Sequence, residues 1–140
     1  MKRILLMLTL CVGIACFAGC NSQKKSKDGE GKRDVVEILY FHGAQRCKSC
    51  VVAEQIVQSV LQEQFSDAIE QQGKLRYRTI NIVEQEEIAN EYEIVWSSLL
   101  LVDYDANGER VIEDLTDIAF LNADKLSNEL SNRITTMLNN

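Results

Sequence analysis

Cys47-Lys48-Ser49-Cys50 is the stretch of this chain whose residue types and spacing are best suited to chemistry. Two thiols three residues apart, placed where a strand ends and a helix begins, lie close enough to join as a disulfide within one helical turn. The first would sit where unpaired backbone N–H groups and the positive end of the helix dipole favour a thiolate. Arg46, Lys48 and His42 add positive charge around it. The chemistry expected is that of a redox-active dithiol, with Cys47 as the exposed nucleophile and Cys50 resolving the mixed disulfide. Lys48 and Ser49, lying between the two, would tune its potential.

Other readings of the same residues stand beside this one. A structural disulfide is the plainest, but so small a loop contributes little chain entropy. Cys47, Cys50 and His42 offer three soft ligands for Cu(I) or an arsenite-type metalloid. A closed zinc site needs a fourth ligand, and the chain has neither a second CxxC nor a second histidine. His42 reads as a structural or pKa-tuning residue rather than a ligand. A third class is a binding module that docks without catalysis, in which Cys47→Ser would leave function intact.

The dithiol must be positioned by a domain, and the ends of the chain set its limits. Lys2-Arg3 and the apolar run Ile4 to Ala18 read as a signal peptide, residues 1–19, since the run is short for a membrane span. Phe17-Ala18-Gly19-Cys20 resembles the bacterial lipobox, which implies that Cys20 is lipidated and becomes the first mature residue. Of five cysteines, Cys11 and Cys16 would leave with the signal and Cys20 would carry lipid, so Cys47 and Cys50 form the one free pair. Export would place that pair outside the reducing cytosol, in the bacterial cell envelope facing the periplasm. Loss of Lys2 and Arg3 takes 15 basic residues to 13 against 21 acids, a side-chain sum of −8. That balance argues against nucleic acid and against an anionic lipid surface, so acyl chains would hold the protein at the membrane. Residues 20–33 are the lipidated cysteine and a polar linker with a reach of roughly 20 Å. Residues 34–140 are long enough for one small domain with its own core.

Within that domain, Val35 to Phe41 is apolar on both faces apart from Glu37, as in a central strand covered on two sides. From about Cys50 to between Phe65 and Glu70, Val52, Ala53, Ile56, Val57, Val60 and Leu61 recur at helical spacing, with Glu54, Gln55 and Gln58 on the polar side. Gly73 is a plausible terminator. Leu75–Ile82 is expected as a strand, Glu84–Tyr92 as a short acidic helix and Leu99–Val102 as a buried strand. Asp105-Ala106-Asn107-Gly108 reads as a hairpin turn leading to a returning strand, Arg110–Glu113. A C-terminal helix carries Leu126, Leu130, Ile134 and Met137, with Asn122 as its candidate cap. The order is β-α-β-α-β-β-α. Alternation at the start predicts parallel strands, and the hairpin adds an antiparallel edge.

With Cys47-Lys48-Ser49-Cys50 after the first strand, and Asn81-Ile82, Ile88-Ala89, Tyr92-Glu93-Ile94 and Leu99-Leu100-Leu101-Val102 following, residues 34–140 resemble the thioredoxin superfamily. The resemblance implies a thioredoxin-like α/β fold, a mixed sheet flanked by helices. It further implies a thiol-disulfide exchange activity on exported protein partners, recharged by a membrane-embedded reductase, with no cofactor. It sets Trp96, Ser97 and Ser98 in the loop facing the dithiol; Trp96 itself reads as a loop plug packed near the dithiol rather than as a recognition group. Tyr40-Phe41-His42-Gly43, Arg46-Cys47 and Cys50 resemble more loosely a Bacteroidetes-type group labelled after a nitrophenyl-compound nitroreductase subunit, though no flavin or nicotinamide motif accompanies them. The chain departs from the thioredoxin pattern in three places. It has no proline, so Ser98 stands where the cis-proline would, and Ser97-Ser98 is expected to be trans. Arg46 replaces the usual tryptophan. No acid lies between Glu37 and Glu54 to supply the buried carboxylate.

Overall fold

The computed structural model describes residues 35–140. The signal peptide, Cys20 and the linker expected from the sequence lie outside the described residues. Nine elements follow one another: β1 (Val36–His42), α1 (Lys48–Gln64), α2 (Ser66–Glu70), β2 (Leu75–Asn81), α3 (Glu86–Glu91), β3 (Ser98–Tyr104), β4 (Arg110–Asp114), α4 (Thr116–Leu121) and α5 (Ala123–Leu138). The four strands form one sheet in the order β2-β1-β3-β4. The result is a mixed sheet flanked by helices, as the sequence predicts.

Period-two alternation in β1 divides the core. Val36, Ile38 and Tyr40 join one buried cluster with Ala53, Val57, Leu126, Leu130 and Ile134, the face covered by α1, α4 and α5. Leu39 and Phe41 join the other with Ile80, Leu100 and Val102, against Ile88 and Tyr92 of the α3 side. Every residue of β1 from Val36 to Phe41 is buried, including Glu37, which meets Arg76 of β2 at 3.2 Å. A central strand with helices on both faces must be apolar throughout, and the one exception carries an ion-pair partner.

Four expectations are corrected. Only β1 and β2 are parallel; β3 runs antiparallel to β1, pairing Phe41 with Ser98 and Glu37 with Val102. The reason is length. Six residues of α3 advance about 9 Å, whereas a seven-residue strand is about 23 Å long. The chain therefore re-enters the sheet at the end where β2 left it. Two helices were absent from the expected order: α2, beyond a break at Phe65, and α4, which buries Ala119 and follows directly on β4. Asn122 does not cap α5 with its side chain. It is the single joint between α4 and α5, with its N–H bonded to Ile118 and its carbonyl to Lys125. Finally, α1 starts at Lys48, slightly before the expected position, so that Cys47 itself is the N-cap.

The ends of the elements converge. The end of β1, the start of α1, the end of β2 and the start of β3 meet at one edge of the sheet. Glu93, in the left-handed region at φ 57°, ends the α3 turn, and the Ile94 N–H reaches back to Ala89 at 2.8 Å. That turn sends the chain through Val95-Trp96-Ser97 to the edge where the thiols lie.

Candidate functional site

Cys47 is the N-cap of α1. Its backbone is extended (φ −78°, ψ 168°), and its sulfur accepts from the Cys50 N–H at 3.4 Å. Four N–H groups at a helix start have no partner within the helix, and here a sulfur takes one of them. Cys47 is exposed, Cys50 is buried, and both are free thiols. Their sulfurs stand 2.8 Å apart. The Ser49 hydroxyl lies 3.0 Å from the Cys47 sulfur. Hydrogen bonds from Cys50 and then Ser49, with the backbone N–H, bring the Cys47 thiol down to about 7. Such bonds stabilise the anion more than the neutral thiol.

Cys50 is held from two sides. The Tyr40 hydroxyl, rising from the buried face of β1, donates to the Cys50 carbonyl at 2.7 Å. Burial, then the nearby Cys50, pushes the Tyr40 phenol well above its ordinary range, so it stays neutral and a donor. From the loop before β3, the Ser97 Oγ lies 3.5 Å from the Cys50 sulfur, which donates to it. Ser49 Oγ, Cys47 Sγ, Cys50 Sγ and Ser97 Oγ thus form one continuous chain of short contacts. No cis peptide bond occurs among the described residues, so Ser97-Ser98 is trans. Ser98 is buried and donates to the Trp96 carbonyl at 3.2 Å.

The other expected site residues are placed less uniformly. Lys48 is exposed in the first turn of α1. His42 Nδ1 is 2.9 Å from the carbonyl of its neighbour Gly43, and its ring stacks on Tyr40. It is not gathered with the thiols into a three-ligand set: no cluster of three His, Cys, Asp or Glu groups suited to a metal occurs among the described residues. Trp96 is not a plug, for it is 67% exposed. Its loop passes the dithiol with the smaller Ser97 turned inward. Arg46 is bound by Glu54, one helical turn beyond Cys50, and its guanidinium lies over the Tyr40 ring at 5.8 Å.

Glu54 and Tyr40 carry contacts that the sequence does not assign to them, whereas Ser97 belongs to the loop expected to face the dithiol. Glu54 was expected on the polar face of α1, yet its side chain is only 13% exposed. The signal available was slight: it lies four residues from Cys50, hence on the same flank of the helix. Two clefts, of about 800 and 270 Å³, lie elsewhere, the larger at the opposite end of the sheet beside Val36, Tyr104 and Met137. Neither cleft is lined by Cys47 or Cys50.

An α/β domain with a vicinal dithiol capping the helix after its central strand has the thioredoxin-like fold. Among solved structures the chain is similar to Fasciola hepatica thioredoxin, with TM-score 0.50 and 17% identity over 72% of this chain and 82% of that one. It is similar to full-length ERdj5, with TM-score 0.54 and 13% identity over 76% of this chain and 14% of that longer one. Chloroplastic thioredoxin z is a third neighbour, with TM-score 0.48 and 20% identity over 74% and 81% of the two chains. At such identities the likeness is one of fold. No family model and no curated protein matches the sequence. No helix among the described residues is long and apolar enough to cross a membrane.

Proposed function

We propose that this protein is a thiol-disulfide oxidoreductase of the bacterial cell envelope. It exchanges its Cys47/Cys50 dithiol with exported protein partners while lipid on Cys20 tethers it to the membrane, facing the periplasm. The observation that carries the reading is an exposed, acidified Cys47 sulfur 2.8 Å from a buried Cys50 sulfur. An exposed Cys47 that lines neither cleft suits a protein partner better than an enclosed small molecule.

In the reducing direction, the Cys47 thiolate attacks one sulfur of a partner disulfide. A Cys47–partner bond forms, and the other partner sulfur leaves as a thiolate that takes a proton from water. Cys50 then gives its proton to solvent and attacks the Cys47 sulfur. The Cys47–Cys50 bond forms and the second partner sulfur departs, so two electrons have passed to the partner. A dithiol on a membrane-embedded reductase returns the pair to its reduced form by the same two steps. Run backwards, the sequence oxidises a partner dithiol.

The test is a redox titration of the full-length chain with mass-spectrometric thiol trapping, beside an insulin-reduction assay. Cys47 is expected to alkylate at least about tenfold faster than Cys50. Insulin reduction should vanish in Cys47→Ser. Full function in that variant would leave a non-catalytic docking module. Stoichiometric binding of Cu(I) or arsenite without insulin reduction would favour a soft-metal site on the two thiols instead. Fatty-acid labelling that disappears in Cys20→Ala supports the tether, and unchanged labelling removes it.

A further inference from the structure

Arg46 directly precedes the nucleophile, and an unpaired guanidinium there would draw the thiolate equilibrium further down. Its charge is not unpaired. The Arg46 Nη1 is bound to the Glu54 carboxylate, which is largely covered by its surroundings. The guanidinium is further fixed over the Tyr40 ring, whose hydroxyl holds the Cys50 carbonyl. One compact cluster therefore links the residue before Cys47, the strand beneath it and the turn of α1 after Cys50.

We propose that Glu54 is a positioning residue that folds Arg46 against Tyr40 and cancels its charge toward the dithiol. The acidity of Cys47 is then left to the helix terminus, Ser49 and Cys50.

The other groups facing this flank do not alter the balance. Tyr40 of β1 and Tyr77 of β2 both lie beside the pair, and burial first of all keeps each phenol neutral. Lys48 is exposed to solvent on α1, where its charge is screened. His42, at the end of β1, is occupied by the Gly43 carbonyl. The hydrogen bond from Arg46 to Glu54 raises the guanidinium's affinity for its proton, whereas the groups that lower Cys47 most are Cys50 and Ser49. Both consequences of losing the Glu54 charge act in one direction. A carboxylate is removed near the thiols, and a cation is released beside them. The device keeps the nucleophile less acidic than its own sequence neighbours would make it, and so limits how oxidising the pair becomes.

The inference rests on Cys47 as the nucleophile, but its test does not require oxidoreductase activity. The pH dependence of Cys47 alkylation is measured in the full-length chain and in Glu54→Gln, Glu54→Asp, Arg46→Gln and the double variant Arg46→Gln/Glu54→Gln. Glu54→Gln is expected to move the midpoint down by about half a pH unit or more. Arg46→Gln, which leaves the carboxylate alone, moves it up. The double variant returns it close to the parent, and Glu54→Asp largely restores it. An unchanged or raised midpoint in Glu54→Gln overturns the proposal, as does an unchanged one in Arg46→Gln, whose partly exposed side chain leaves folding intact. Shifted midpoints in a chain that cannot reduce insulin would sustain this inference while removing the proposed function. The reverse pattern would do the opposite.

Discussion

The Tyr40 hydroxyl donates a 2.7 Å hydrogen bond to the Cys50 carbonyl oxygen, tying the central strand to the first turn of the helix that bears both thiols. The ring itself is fully buried in the core. A contact between a packed strand and the turn that carries the dithiol ties the position of α1 to the core. The bond fixes where the dithiol turn sits on the sheet, while the closeness of the two sulfurs comes from their spacing in one turn.

Tyr40→Phe tests this link. The ring volume stays, and only the bond to Cys50 is lost. Urea denaturation of the reduced chain should show a loss of about 1 kcal/mol. The ratio of Cys47 to Cys50 alkylation rates should fall as the first turn loosens. A variant unchanged in both would show that the bond constrains nothing.

The Cys47 thiol, brought down to about 7 chiefly by hydrogen bonding, sets a pH profile. Alkylation of Cys47 should rise through about pH 7 and level off above it. The sign for stability follows from the lowered value. The reduced chain's added stabilisation is complete above the ordinary thiol range of about 8.5 and is lost as pH falls through about 7. Ser49→Ala removes one of the bonds, so its alkylation midpoint should lie above that of the parent. A parent midpoint near 8.5 would contradict the site geometry.

Ser97 offers the hydroxyl nearest the Cys50 sulfur, from 47 residues away in sequence. In Ser97→Ala the hydroxyl that can turn to donate to the Cys50 thiolate is gone, and the second step of the proposed exchange slows. Quenched-flow trapping should find the Cys47 mixed disulfide persisting about two- to fivefold longer, in keeping with one weak hydrogen bond. Equal lifetimes would make Ser97 a bystander.

Glu93 is the only non-glycine residue at positive φ among those described, and its side chain is exposed. Glycine adopts that conformation without the steric cost, so Glu93→Gly should raise stability by about 0.5–1 kcal/mol in thermal or urea unfolding. Destabilisation would mean that the side chain has a role the turn does not reveal.

Much of the site was legible because it is local. Cys47 and Cys50 needed only their spacing and the strand-to-helix junction, and the apolar run from Val36 to Phe41 marked a strand buried on both faces. Glu54 was misplaced because helical periodicity sorts residues into inner and outer faces, and a flank position answers to neither. Its burial depends on Arg46 folding down over Tyr40, which no periodicity contains. Trp96 differs in the opposite direction: it is expected to pack beside the dithiol, yet the loop turns Ser97 inward and leaves the indole exposed. The α4 helix escaped notice because six residues give too short a pattern to stand out beside the longer α5.

By itself, the sequence determined the four strands, the long helices and the place of the dithiol, since hydrophobic period, turn chemistry and thiol spacing act within a few residues of one another. Only the tertiary structure decided that β3 runs against β1, that Ser97 meets Cys50, and that Glu54 holds Arg46. Those relations answer to no local period: they are fixed by how the helices and loops pack on the sheet, and they exist only once the core has closed.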